Sequence, residues 1–187
     1  MRKNLSGVKL SNFDYDHGVV GLGYVGLPLA VESANSALNV LGYDVNNDRV
    51  KEINNGKSPI EDISNTELKK VLNTFLATDD PSLLSKCEHI VISVPTPLTD
   101  YQPDLSYVEA AAKTVGENLV SNQVIILEST TYPGTTLEVL VPNLEKYSSL
   151  EAGSDFYVGY SPERIDPGNK EWKFKNTPKV ISGINDD

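Results

Sequence analysis

The chain has 187 residues, a formal net charge of −10 at pH 7, 39% hydrophobic and 22% charged residues. That length suits one domain with its own core, and an acidic surface without a basic run argues against nucleic acid as a partner. One cysteine, Cys87, excludes an intrachain disulfide, and no signal peptide or apolar run of roughly 20 residues is present, so a soluble, cytoplasmic protein with no membrane partner is expected.

Residues 1–13 are polar and read as a loose lead-in to a folded domain over 14–187. From Tyr15 onward short apolar runs alternate with longer helical segments, the pattern of a parallel α/β sheet. The first run passes into Val19-Val20-Gly21-Leu22-Gly23-Tyr24-Val25-Gly26-Leu27-Pro28-Leu29-Ala30, which reads as strand, glycine turn and helix. Gly21, Gly23 and Gly26 fit the spacing G-x-G-x-x-G. The first allows the tight turn, the second lets backbone approach a pyrophosphate, and the third lets the helix pack on the sheet. The turn, with Tyr24 and Val25 inside it, then offers the free N–H groups and positive dipole end of a helix to phosphate.

A second strand, Asn39 to Asp44, follows the helix, and Asp44 lies 18 residues after Gly26. An acid at that distance accepts hydrogen bonds from ribose hydroxyls and repels a 2′-phosphate, so NAD is expected over NADP. The alternative, an ordinary glycine turn and a surface aspartate, requires five features to fall in order by coincidence.

Further along, residues 47–54 read as a short helix stopped at Asn54-Asn55-Gly56. Ser58 to Asp62 is a loop, Asn65 to Asn73 a second exposed helix, and Thr74 to Thr78 a third strand. Asp79-Asp80-Pro81 opens the next helix. His89 to Val94 is a continuous apolar run, as in a strand buried on both faces, and Pro95-Thr96-Pro97 ends it. Asp104 caps a helix reaching about Asn118. Gln123 to Glu128 is the next strand, a helix runs from Thr135 to about Tyr147, and Phe156 to Tyr160 is a sixth strand. Pro178 to Ser182 reads as one more. The expected class is a Rossmann-type, doubly wound α/β fold with a mainly parallel sheet and helices on both faces. In such sheets ligands bind outside the carboxyl ends of the strands, where the polar loops here converge.

Three of those loops carry candidate chemistry, each with a structural alternative. Val94-Pro95-Thr96-Pro97 is either a strand-ending turn or a hydroxyl on the nicotinamide side of a cofactor. Glu128-Ser129-Thr130-Thr131-Tyr132-Pro133-Gly134-Thr135 offers hydroxyls suited to an anion or a water, or to helix capping. Ser161 to Asn169 holds Glu163, Arg164 and Asp166, which serve as a base and an anion contact or as a surface turn. Cys87 precedes the fourth strand, on the side away from the crevice, and reads as a packed thiol. His17 and His89 lack partners at metal-ligand spacing, so no metal is expected. Trp172 reads as packing.

GLGYVGLPLA, VPTPL followed by PDLSYVEAA, ESTTYPGTT and YSPERIDPGNK stand in order. On these motifs the chain resembles the nucleotide-sugar 6-dehydrogenases, the UDP-glucose/GDP-mannose dehydrogenase family, from about Tyr15 to Gly183. The resemblance implies a four-electron oxidation with two NAD. A primary alcohol of the sugar becomes an aldehyde, is captured by a cysteine thiolate, is oxidised to a thioester and is released by water as a carboxylate. It implies that Thr130 positions water or the reacting oxygen near the nicotinamide, and that Glu163 is the base for thioester hydrolysis. Pro95 and Thr96 line the nicotinamide side and Arg49 approaches the adenosine or pyrophosphate. Glu163, Arg164, Ile165 and Asp166 meet the nucleotide-sugar substrate. The cation-first order of Arg164-Ile165-Asp166-Pro167-Gly168 is similar to the branch acting on UDP-N-acetylhexosamines rather than UDP-glucose, in the service of polysaccharide biosynthesis.

The family's catalytic cysteine and lysine and its dimerising helix lie in segments that nothing here matches. The resemblance therefore implies the cofactor-binding, N-terminal part of a longer homodimeric enzyme, itself monomeric, able to bind NAD but not to oxidise a sugar. Two other classes fit parts of the pattern. One is a stand-alone NAD(H)-sensing module. The other is a hydroxyacid or hydroxyacyl dehydrogenase, which has no reason to carry both ESTTYPGTT and SPERIDPGN.

Overall fold

The computed structural model describes residues 13–164 and 176–185. Residues 1–12 of the expected lead-in, with Ile165, Asp166 and Trp172, fall outside the described residues. The strands are β1 (Tyr15–Val20), β2 (Val40–Tyr43), β3 (Phe75–Thr78), β4 (Cys87–Ile92), β5 (Leu98–Thr99), β6 (Gln102–Pro103), β7 (Val124–Leu127), β8 (Tyr157–Tyr160) and β9 (Ser182–Gly183). The α-helices are α1 (Gly26–Asn35), α2 (Asn47–Asn54), α3 (Asn65–Val71), α4 (Ser106–Gly116) and α5 (Val141–Ser148).

One sheet runs in the order β3-β2-β1-β4-β7-β8-β9, parallel throughout except for the antiparallel β8–β9 pair. Alternation along the strands sends successive side chains to opposite faces. Val19, Val40 and Val91 join α1, α2 and α3 in one core through Leu27, Ala30, Ile53 and Leu68. Their neighbours Val20, Leu41, Ile90, Ile92, Ile125 and Leu127 join α4 and α5 in the other, through Val108, Ala112, Val115 and Leu144. Each of these valines, leucines and isoleucines taken fully out of water is worth about 1.5–3 kcal/mol. The doubly wound fold follows from that alternation, because the central strands β1, β2 and β4 are buried on both faces.

Local rules set the ends of the elements. Asn46 caps α2 by accepting from Asp48 N and Arg49 N, and Ser64 and Glu67 form a reciprocal capping box on α3. Asp80 caps the segment Pro81–Lys86, which is 3₁₀ rather than α, six residues closing the short gap between β3 and β4. Before α5 the backbone makes a wide π turn over Thr136–Leu140. The turn ends just before Pro142, whose nitrogen cannot donate into the preceding turn.

Three further elements differ from expectation. β4 begins at Cys87 itself, so the thiol is the first residue of the strand. Burial pushes that thiol up to about 12, which keeps it protonated and unreactive. The last strand is the pair Ser182–Gly183, not Pro178 to Ser182, and it runs antiparallel. Beyond Pro97 a small hairpin, β5–β6, turns through Asp100 and Tyr101 with φ of 52° and 63°. Such turns usually announce themselves by Asn-Gly or Asp-Gly, which Asp-Tyr does not. Among the described residues no helix is long and apolar enough to cross a membrane.

Candidate functional site

β1 connects to β2 on one side and its other neighbour is β4, so the winding of the sheet reverses between them. At such a switch point the loops beyond the strands diverge and leave a crevice. Here it is a cleft of about 630 Å³ lined from both sides of the switch.

The glycine turn forms one wall. Gly21 has φ +93° and lies so close to β4 that a Cβ there would sit 2.4 Å from Ser93 O. A Cβ on Gly26 would lie 1.8 Å from Gly21 O and 3.2 Å from Val19 Cγ1, so the helix closes first on its own turn and then on the sheet. Gly23 is different: a Cβ there would meet nothing within 4 Å, and the residue lines the cleft. α1 begins without a side-chain cap and without an acidic residue in its first turn, and Pro28 sits where a helix N–H has no internal partner. Its N-terminus therefore meets the cleft carrying no carboxylate of its own. Gly21, Gly23, Tyr24 and Val25 line the cleft; Gly26 stands behind them.

Asp44 is buried at the end of β2. Its Oδ2 accepts from Leu22 N at 2.9 Å and from Arg49 Nη1 at 3.0 Å, and its Oδ1 accepts from Asn46 N at 2.9 Å. A carboxylate has about four lone-pair sites, so these donors leave room on Oδ1 for one more. Asp44 thus ties the glycine turn to β2 as well as facing the cleft, a structural duty its spacing did not announce. Arg49 is placed by the first turn of α2, beside Asp44 at the same end.

The opposite wall is made of loops bolted to one another. Val94 N donates to Ser129 Oγ at 3.1 Å while that hydroxyl donates back to Val94 O at 2.7 Å. Thr96 Oγ1 donates to Thr130 O. Pro95, Thr96 and Thr130 therefore reach the cleft as one unit. The hydroxyls of the ESTTYPGTT loop divide between both readings. Ser129 and Thr130 face the cleft, whereas Thr131 and Thr135 bond to each other at 2.7 Å and close the turn.

Glu128 and Glu163 also line the cleft. Burial raises the Glu128 carboxyl above its ordinary range, and an ion pair with Lys179 opposes the shift. Arg164 is exposed and is not among the lining residues. Expectation had also passed over Tyr107, Ala110, Ala111 and Thr114 on α4, and Val45 and Ser93 at strand ends. The α4 set recurs at i, i+3, i+4 and i+7, so one helix face was visible in the sequence. Among the described residues no group of three or more His, Cys, Asp or Glu could hold a metal ion.

Residues 16–187 match the model of the UDP-glucose/GDP-mannose dehydrogenase family, NAD binding domain. The chain belongs to that family. It is 45% identical over 166 residues to Protein CapL of Staphylococcus aureus, covering 88% of this chain and 38% of that protein. It is 43% identical to UDP-N-acetyl-D-glucosamine 6-dehydrogenase of Pseudomonas aeruginosa, covering 91% and 40%. The solved UDP-D-ManNAc dehydrogenase of Pyrococcus horikoshii superposes with a TM-score of 0.82 at 40% identity, covering 90% of this chain and 41% of that one. The chain thus spans about two fifths of the length of these relatives, and what it holds in common with them is the Rossmann-type, NAD-binding domain.

Proposed function

We propose that this chain is the cofactor-binding part of an NAD-dependent nucleotide-sugar 6-dehydrogenase that oxidises a UDP-N-acetylhexosamine to its uronate. The observation that carries the reading is the single cleft onto which the glycine turn, Asp44 with Arg49, Pro95 with Thr96, Thr130 and Glu163 all open. The names of the relatives favour the N-acetylhexosamine branch.

Gly21, Gly23, Tyr24 and Val25 hold the pyrophosphate at the start of α1, with Gly26 closing the helix on the turn behind them, and open space beside Gly23 suits a close backbone approach. Asp44 takes a ribose hydroxyl on its remaining lone pair, and Arg49 flanks the adenosine. Pro95, Thr96 and Thr130 line the nicotinamide side. Bound NAD supplies the hydride acceptor. Thr130 orients water or the reacting oxygen, and Glu163 takes the proton from water during hydrolysis. Arg164, Ile165 and Asp166 are the residues assigned to contact the nucleotide-sugar substrate. The working assembly is a cytoplasmic homodimer serving polysaccharide biosynthesis, with residues 14–187 as one domain that is monomeric by itself.

Fluorescence titration of residues 1–187 with NADH, with NADPH in parallel, tests the reading. Saturable binding of NADH alone is expected. Asp44→Ala should weaken NADH about 10- to 100-fold, the worth of hydrogen bonds to a charged acceptor. Equal binding of both cofactors, or an unchanged affinity in Asp44→Ala, counts against the ribose assignment. Absence of binding counts against the cleft as the cofactor site.

A further inference from the structure

Two segments meet at the carboxyl end of β8. Ser161-Pro162-Glu163-Arg164 leaves the strand there, anchored by Ser161 N donating to Leu127 O at 3.0 Å, and carries Glu163 onto the cleft. Residues 176–185 return along the same edge. Tyr160 pairs with Ser182, Gly159 with Gly183, and Ile184 N donates to Val158 O at 3.1 Å. This return is held weakly by apolar packing: β9 has two residues, and Val180 and Ile181 before it are 59% and 76% exposed.

What the return segment does bury is a charge. Lys179 reaches in to pair with Glu128, their side chains 26% and 4% exposed. Glu128 is a rigid partner, because its own N donates to Ile92 O at 2.8 Å and continues the β4–β7 ladder. It is also a costly residue to bury alone. Desolvation and the nearby Glu163 carboxylate both disfavour its charge, and Lys179 is the group that opposes them.

We propose that the Glu128–Lys179 ion pair is a clasp that fixes the return segment to the central ladder and so positions the Ser161–Arg164 turn, with Glu163, over the cleft. Both are positioning residues. Lys179 holds the strand that pairs with the last residues of β8, and its charge lets Glu128 and Glu163 share one wall without driving the turn outward. The inference rests on the proposed cofactor cleft only for what Glu163 then does; the clasp itself is read independently of cofactor.

Amide hydrogen exchange of residues 1–187, followed by NMR, tests it in Lys179→Met, Lys179→Arg and Glu128→Gln. In Lys179→Met the Ser161 and Ile184 amides should exchange about tenfold faster or more, since one partner of a buried pair is gone. Amides of β1, β2 and β4 should stay within about twofold. Lys179→Arg should restore protection, and Glu128→Gln should reproduce the local opening if Lys179→Met does not fold. NADH affinity in Lys179→Met should equal that of the unaltered chain, because Lys179 does not line the cleft. Unchanged exchange at Ser161 and Ile184, or a uniform rise across the whole sheet, overturns the clasp. Failure of the unaltered chain to bind NADH overturns the cofactor reading instead and leaves the exchange result decisive for the clasp.

Discussion

The two edges of the sheet use similar polar groups to opposite ends. At the amino edge every polar partner named is spent inside the fold. Gln123, fully buried, donates from Nε2 to Leu84 O at 2.9 Å and Cys87 O at 2.7 Å and accepts from Val120 N at 2.9 Å. His17 Nδ1 meets Ser33 Oγ at 3.0 Å and His89 Nδ1 meets Asp16 O at 3.0 Å. At the carboxyl edge Asp44, Ser129 and Thr96 are also bonded, yet each lines the cleft and keeps acceptor capacity open to it. Burial and hydrogen bonding alone therefore do not mark a site. What marks it is polar capacity left over, beside space that no side chain fills.

The largest test of that contrast lies in the glycine turn, where the carboxyl edge depends on the absence of a side chain. Gly26→Ala puts a Cβ 1.8 Å from Gly21 O, a backbone atom that cannot swing away. Urea unfolding should show a loss of at least about 3 kcal/mol, or no folded protein. A loss under 1 kcal/mol means that the turn is not closed as described.

The amino edge should answer to pH instead. Burial, then the neighbouring His89, lowers the His17 pKa from 6.5 to about 4, with Asp16 pulling the other way and Lys179 adding to the drop. The unfolded chain then binds more protons than the folded one between those values, so stability rises with pH across the window. It is intact above 6.5, falls as pH drops toward 4, and levels off below. The size is roughly 3 kcal/mol at most. Unfolding free energies at pH 7.5 and 4.5 should differ less in His17→Gln than in the unaltered chain, and an equal difference removes His17 as the cause.

Smaller still, Gln123→Leu leaves Val120 N–H without its acceptor and takes one donor each from Cys87 O and Leu84 O, the latter keeping Cys87 N. It should cost about 1–3 kcal/mol of stability while NADH affinity stays unchanged, since the residue is remote from the cleft. A large loss of affinity at unchanged stability inverts the comparison between the edges.

How much of this was legible follows from sequence separation. The glycine turn and Asp44 could be read because their constraints lie within one strand–helix–strand unit, where spacing in sequence is spacing in structure. The alternation of apolar runs announced the doubly wound sheet for the same reason. The opposite wall could not be derived in that way. Ser129 meets Val94 across 35 residues and Lys179 meets Glu128 across 51, and no local pattern encodes such a pairing. The roles expected of Thr130 and Glu163 came from family resemblance. The Tyr107, Ala110, Ala111 and Thr114 stripe was visible, but helical spacing of small residues reads equally as core packing. The direction of β9 was hidden too, because a period of two is the same for either strand sense.

The smallest effect on stability makes the sharpest test, because Gly23 and Gly26 are the same residue three positions apart. A Cβ at Gly23 would meet open space out to 4 Å. Gly23→Ala should therefore leave stability within about 0.5 kcal/mol of the unaltered chain. The added methyl nevertheless stands where a pyrophosphate approaches backbone, so NADH affinity should fall about tenfold or more. Gly26→Ala loses affinity only by losing the fold; Gly23→Ala should lose it with the fold intact. If Gly23→Ala binds NADH as tightly as the unaltered chain, the open space beside it is not where the phosphates lie, and the glycine turn serves the fold alone.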